Sequence, residues 1–234
     1  MIRNLIRKAH TCNDILENFS PLSSETDRVY KIFTNAVNGL LYPENGEYLS
    51  TFGECSSYYA LQGIKKRMQA HPVGAKILQE KPRIRTPYVD FNKLRALSPN
   101  TFGKQYIDHM DSLNLVPDER PLVKHIGDLD LAYIFQRYKE IHDFLHLLLS
   151  KEISVYEEIE VKIYEFQQLE LASTALASLV GPLRLSLWEK IELLRNGAPK
   201  MISLANKGKF CMNVHYEAHF EQDMEEFKKW FFSP

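Results

Sequence analysis

Cysteine is scarce in this 234-residue chain: Cys12, Cys55 and Cys211 are an odd number, widely spaced, with no Cys-x-x-Cys pair. That excludes a disulfide framework and a cysteine-built zinc knuckle, and it favours a reducing compartment. Glycine (10) and proline (11) are too few for a low-complexity or collagen-like segment. No charge sign dominates. The formal net charge is -1 and no long Lys/Arg run occurs, so nucleic acid is excluded as a partner. No run is long and apolar enough to span a bilayer. The uncharged stretch over residues 171–183 contains Ser and Thr and falls well short of the roughly 20 residues a spanning helix needs. Almost no segment alternates with period two, and GxGxxG, P-loop and GxSxG patterns are missing, which removes sheet-based nucleotide folds and the common serine hydrolases.

What is present is helical periodicity. Apolar residues make up 44% of the chain and charged residues 25%, ordinary for one globular domain with a core. Val29, Ile32, Phe33, Val37 and Leu40 predict a helix over residues 25–41, ended by Tyr42-Pro43. A second helix is expected over residues 53–70, and Pro72 opens a short further one. Residues 81–87 are extended because two prolines flank them. Helical pieces follow near residues 90–97 and 101–113. Asp128 suits the N-cap of a long helix in which Leu131, Ile134, Phe135, Tyr138, Ile141, Leu145 and Leu148 recur at helical spacing, to about Leu149. After a break at Ser150-Lys151-Glu152, Ser154 caps a helix expected to continue to Gly181-Pro182. Ser186 caps another, and a last helix is expected over residues 211–231. The fold class is therefore all-α: a single helical domain with a metal site between two helices.

The N-terminus differs from the rest. Residues 1–13 hold Arg3, Arg7, Lys8 and His10 and no acid, with Ile2, Leu5, Ile6 and Ala9 near one helical face. This is the composition of a mitochondrial presequence; a free basic helix is the alternative. Residues 1–20 are assigned to that extension and 21–234 to the helical domain.

The chemistry-bearing segment is His142-Asp143-Phe144-Leu145-His146, then eleven residues, then Glu158. Two His at i and i+4 sit one above the other on a helix face and can hold one ion. Asp143 lies about 100° round the helix from His142, where it reaches the flank of the ion or hydrogen-bonds a ligand. Glu158 comes from the next helix, folded back. Two imidazoles with one or two carboxylates suit zinc, iron, cobalt or manganese, zinc being the plainest choice. Against this stands a purely structural His pair that satisfies carbonyls or acids within a Leu-rich helix. Arg137, one and a half turns before His142, is a candidate for meeting an anionic substrate group, and Arg184 a weaker one. Glu165 and Gln168 continue the Glu158 face and are candidates to support the ligands from behind. Glu217, Glu221 and Asp223 read as a solvated helix face.

On these residues the sequence resembles the family of the fourth protein of coenzyme Q (ubiquinone) biosynthesis, whose signature is His-Asp-x-x-His-x11-Glu. Four blocks carry the resemblance in order: HPVGAKILQEKPRI (71–84), LAYIFQRYKEIHDFLHLLL (131–149), GPLRLS (181–186) and KFCMNVHYEAHFEQDM (209–224). It covers roughly residues 25–230. The resemblance implies an all-helical homodimer, peripheral on the matrix side of the mitochondrial inner membrane. It also implies work with other ubiquinone-biosynthesis proteins and a divalent metal, generally zinc, on His142, Asp143, His146 and Glu158. The implied activity is C1-decarboxylation of a 4-hydroxy-3-methoxy-5-polyprenylbenzoate, with a hydroxyl replacing the carboxylate in an oxidative version. The alternative is a non-catalytic scaffold that binds polyprenyl lipid and organises the biosynthetic complex. The chain departs from the family pattern at Glu157, where a Gly is usual, so that two acids stand side by side. Ala218, His219 and Phe220 replace the usual Arg and Trp near the C-terminus.

Overall fold

The computed structural model describes residues 12–42, 45–86 and 88–233. Residues 1–11, on which most of the presequence expectation falls, lie outside the described residues. The helices are α1 (Asn13–Glu17), α2 (Glu25–Leu41), α3 (Gly46–Ser56), α4 (Tyr58–Gln69), α5 (Pro72–Glu80), α6 (Phe91–Arg95), α7 (Phe102–Ser112), α8 (Leu129–Leu149), α9 (Val155–Leu169), α10 (Ala172–Val180), α11 (Leu187–Glu192), α12 (Ala198–Lys207) and α13 (Met224–Phe231). No strand occurs among the described residues, so the chain is all-α. Among the same residues no helix is long and apolar enough to cross a membrane.

The fold is organised around α8. Asp128 caps it as expected, its Oδ1 accepting the backbone N–H groups of Asp130 (2.9 Å) and Leu131 (3.0 Å). Sixteen of its 21 residues are buried, on every face of the helix. A surface helix would bury one stripe only; α8 is surrounded, packing against α1, α4, α7 and α9. The aromatic side of the core is built from Phe102, Phe144, Tyr216 and Phe227, with ring centroids of Phe102 and Phe227 4.7 Å apart.

Three sequence expectations are corrected. The helix expected over residues 53–70 starts at Gly46 and is broken at buried Ser57 into α3 and α4. The helix expected to run on to Gly181-Pro182 ends at Leu169, because Glu170 takes a left-handed conformation with φ 56°. A non-glycine residue rarely adopts that conformation, so nothing in the residue type signals a stop there. The helix expected over residues 211–231 is confined to α13, preceded by 3-10 turns at Cys211–Asn213 and Tyr216–His219. Tertiary backbone hydrogen bonds replace helical ones in this stretch: Phe102 N–H to Gln222 C=O and Gly103 N–H to Phe220 C=O, both 2.9 Å, and Met224 N–H to Asn100 C=O at 2.8 Å.

Residues just ahead of position 21 pack on the helical domain. Ile15 is buried, and Asp14 on α1 accepts from Arg83 (2.8 Å) and Arg85 (2.9 Å). Arg83 is fully buried and its Nε donates to Glu140 Oε1 of α8 at 2.8 Å, while Glu140 Oε2 accepts the Ile84 N–H at 2.9 Å. This network clips the extended segment after α5 onto the middle of α8. Arg83→Met removes the cation and leaves the Glu140 carboxylate buried without a counter-charge. A loss of about 3–5 kcal/mol is expected, read as a lower midpoint in denaturant unfolding, with little change for the exposed control Arg95→Met.

Candidate metal centre

The left-handed Ser150 (φ 53°) ends α8 and turns the chain. Ser154 then caps α9, its Oγ accepting the Glu157 N–H at 3.3 Å. The turn is short enough to set the first coil of α9 beside the last coils of α8. His142 and His146 project from α8 and Glu158 from α9, and one donor atom from each lies within 4.8 Å of the others. The His142 and His146 Nε2 atoms are 3.3 Å apart. Glu158 brings Oε2 to 3.0 Å from His146 Nε2 and Oε1 to 3.6 Å from His142 Nε2.

Both rings are held from behind. His146 Nδ1 lies 3.0 Å from the Glu152 carbonyl and 3.3 Å from that of Lys151. A carbonyl only accepts, so Nδ1 carries a proton and Nε2 is the ring atom turned towards His142 and Glu158. His142 Nδ1 lies 2.6 Å from Glu165 Oε1, which assigns it the same tautomer. Glu165 is fully buried and also accepts from Tyr138 Oη (3.0 Å) and Lys162 Nζ (2.9 Å). Lys162 Nζ is 3.3 Å from Glu158 Oε1 as well, so one ammonium lies between the two carboxylates.

The electrostatics follow from this packing. Burial raises both carboxyls, but for Glu165 the charge of Lys162 and then of His142 outweighs it and holds the group down at about 2. Lys162, His142 and His146 likewise hold Glu158 well below the usual carboxylate range against its burial. Burial disfavours a charged His146 ring, yet the hydrogen bond and charge of Glu158 raise it above the ordinary imidazole value. His146 Nε2 and Glu158 Oε2 share a proton across their 3.0 Å contact. A divalent cation taking the place of that proton would meet the two imidazole Nε2 atoms and a carboxylate oxygen at one point. The donor set fits a divalent cation held by three protein ligands with positions left for water or substrate, and the carboxylate–histidine contact of Glu165 is the support such ligands use.

The other expected site residues are elsewhere. Asp143 is not brought to this point: its carboxylate is taken by Arg120, because one residue's rotation round α8 turns it from the His face. Arg137 is fully buried, donating to Glu217 Oε1 (2.5 Å) and Oε2 (3.0 Å) and to the carbonyls of Pro82 (3.2 Å) and Val214 (3.3 Å). That placement ties two chain segments to α8 and leaves no guanidinium face for a substrate anion. Its partner Glu217 is correspondingly not on a solvated helix face. Gln168 bonds the Ala205 carbonyl and the Cys211 N–H, remote from the His pair. Glu157 accepts from Ser154 Oγ at 2.9 Å and does not compete with Glu158. Lys162 was not singled out from the sequence, although its i+4 spacing from Glu158 places it on the same face of α9. Arg120 comes from a loop and carries no such signal.

A cavity of about 240 Å³ opens beside His142 and Glu158, lined also by Tyr138 and Lys162 and by the apolar side chains of Leu49, Phe135 and Ala177. A larger cavity of about 490 Å³, lined by Asp90, Arg95, Asp111 and Asp118, contains no imidazole or thiol.

An all-helical domain that gathers two imidazoles and a carboxylate from consecutive helices is thus the class defined by fold and site. Similarity to known proteins narrows it. The model of the family described as coenzyme Q (ubiquinone) biosynthesis protein Coq4 matches residues 17–231. Similar proteins include the mitochondrial ubiquinone biosynthesis protein COQ4 homolog 2 of Paramecium tetraurelia, 44% identical over 79% of this chain and 88% of its own length. The mitochondrial COQ4 homolog of Nematostella vectensis is 40% identical over 81% and 93%. The mitochondrial COQ4 protein of Candida tropicalis is 36% identical over 83% of this chain, which spans 61% of that relative. The chain belongs to the Coq4 family of ubiquinone biosynthesis proteins. A solved crystal structure from Nostoc punctiforme, described as a ubiquinone biosynthesis protein, superposes with a TM-score of 0.67 at 14% identity, covering 86% of this chain and 96% of that one, and shows the same fold.

The buried Arg137–Glu217 pair has a pH signature. Burial raises Glu217, but Arg137 outweighs it and holds the carboxyl below its ordinary value of 4.5. A depressed folded-state value stabilises the protein above pH 4.5, and the contribution is lost as pH falls through the folded-state value. Glu217→Gln is therefore expected to unfold at lower denaturant than wild type at neutral pH, by about 2–4 kcal/mol. The difference should shrink on acidification below pH 4.5, as measured by unfolding midpoints across pH 3–7.

Proposed function

We propose that this chain is a metal-dependent decarboxylase of ubiquinone synthesis, removing the C1 carboxylate of a 4-hydroxy-3-methoxy-5-polyprenylbenzoate. The observation that carries the reading is the convergence of His142 Nε2, His146 Nε2 and a Glu158 oxygen within 4.8 Å. These three would hold the ion, zinc in the first instance. Bound there, it supplies a Lewis acid for negative charge that decarboxylation leaves on the ring.

The chain's own residues do the rest. Glu165 and the Glu152 carbonyl hold both imidazoles by Nδ1, so neither ring needs reorientation when substrate enters. Lys162 keeps Glu158 and Glu165 ionised. The cavity beside His142 and Glu158 is of a size for one substituted benzoate ring, whose apolar edge would lie against Leu49, Phe135 and Ala177. Cleavage of the ring–carboxyl bond releases CO2 and leaves its electron pair on C1, where a proton takes the vacated place. The oxidative version, which installs a hydroxyl instead, requires an external two-electron oxidant such as dioxygen.

A polyprenyl tail cannot fit in such a cavity and must leave it. Large apolar side chains stand exposed on α2 (Val29, Tyr30, Phe33) and from α10 to α11 (Leu179, Leu183, Trp188). They support a peripheral position on a membrane or against a second copy, with the matrix face of the mitochondrial inner membrane and the other ubiquinone-biosynthesis proteins as the setting.

Purified protein is expected to contain about one divalent ion per chain by elemental mass spectrometry. His142→Ala, His146→Ala and Glu158→Gln should lose it while keeping wild-type circular dichroism. Release of CO2 from a C1-labelled prenyl hydroxybenzoate should fall at least about 100-fold in each, since each variant removes a metal ligand. Full turnover in a folded variant free of metal would overturn the reading.

A further inference from the structure

Three cations wall the cavity at the metal centre: Arg120, Lys139 and Lys162. Two of them are committed to carboxylates, Arg120 to Asp143 and Lys162 to Glu158 and Glu165. Lys139 forms no ion pair with a carboxylate among the described residues. Its Nζ donates to two neutral acceptors, Ser50 Oγ at 2.7 Å and the Pro121 carbonyl at 2.6 Å. An ammonium has three N–H donors, so one remains. The neighbouring Glu54 carboxylate is already occupied by the N–H groups of Lys124 (2.8 Å) and His125 (2.9 Å) and by the Ser50 hydroxyl (3.2 Å). Ser50 accepts from Lys139 and donates to Glu54, so the two charges meet only through a hydroxyl.

The result is a cation drawn partly out of water without a counter-charge of its own. Burial, only partly offset by Glu54, pulls Lys139 down to about 8, and a charge in that condition is stabilised by any anion that enters. Lys139 also stands three residues before His142, on the same face of α8 and lining the same cavity. The anion it awaits is therefore one bound next to His142 and Glu158, and the apolar residues that line the same cavity, Leu49, Phe135 and Ala177, favour an aromatic or aliphatic acid over a hydrated inorganic ion.

We propose that Lys139 is the residue by which the site tells its acid substrate from the decarboxylated product, its ammonium, fixed by Ser50 and Pro121, pairing with the substrate's C1 carboxylate. The inference rests on the decarboxylase reading above. A cation that holds the ground-state carboxylate contributes to affinity and not to bond cleavage. Once CO2 has left as a neutral molecule the cation has no partner, and the product is held less tightly than the substrate was.

The test uses two probes, geranyl-substituted 4-hydroxybenzoic acid and the corresponding geranyl phenol lacking the carboxyl. Dissociation constants for both are measured by calorimetry on metal-loaded full-length wild type, Lys139→Met and Lys139→Arg, with metal content and thermal midpoint recorded for each. Wild type should bind the acid roughly 10- to 100-fold more tightly than the phenol, the range set by one hydrogen bond to a charged group. Lys139→Met should lose that factor for the acid alone, and Lys139→Arg should keep most of it. Lys139→Gln serves should the Met variant fail to fold. A folded, metal-loaded Lys139→Met that keeps the wild-type preference overturns the anchor and leaves the decarboxylase reading standing, as does an equal loss for both probes. A wild type that binds the acid no more tightly than the phenol overturns both.

Discussion

Everything in this fold answers to the burial of α8 on all sides. A helix with no solvated face cannot leave a polar side chain unmatched, since each unpaired buried group costs several kcal/mol. Yet α8 carries Gln136, Arg137, Glu140, Asp143 and His146 inside the core. Each must find its partner on another segment, and those partners define the tertiary structure. Glu140 binds Arg83 and the Ile84 N–H, Gln136 the Val123 N–H, Arg137 binds Glu217, and Asp143 binds Arg120. The extended segment after α5, the loop before α8 and the turns before α13 are all fastened to the helix in this way.

The same helix divides its polar residues by face. Gln136, Glu140 and Asp143 follow i, i+4, i+7 and meet arginines and backbone groups that belong to the fold. Lys139, His142 and His146 follow i, i+3, i+7 on another face, where the one arginine lining the cavity, Arg120, is taken by Asp143 and the opposing helix offers Glu158, Glu165 and Lys162. On the first face every charge is matched within the protein. On the second, two imidazoles and a carboxylate converge, and an ammonium nearby rests on neutral acceptors. That difference between the two faces is what the proposed metal and substrate carboxylate would use.

The legible parts of the sequence were those governed by local rules. The span of α8, its Asp128 cap, the break at Ser150 and the Ser154 cap all follow from periodicity and capping chemistry, and they suffice to bring Glu158 back towards the His pair. The illegible parts were decided at a distance. Glu170 ends α9 in a left-handed conformation that its residue type does not signal, and residues 211–224 show helical composition but spend backbone hydrogen bonds on Asn100, Phe102 and Gly103. Arg137 and Asp143 were misplaced for a related reason. Spacing shows that a charged residue sits in an apolar helix, but not which distant residue, Glu217 or Arg120, will satisfy it.

By itself, then, the sequence determined the all-helical class, the two helices that carry the centre and the imidazole pair at one turn's separation, because each depends on contacts within about one turn of helix. Tertiary structure alone decided that three of the four motif residues converge, that Asp143 serves the fold, and that Lys162 and Lys139 join the site. Those outcomes depend on where Arg120, Ser50, Pro121 and Glu165 arrive in space, and charge partners from distant segments are chosen by packing, which local residue order does not encode.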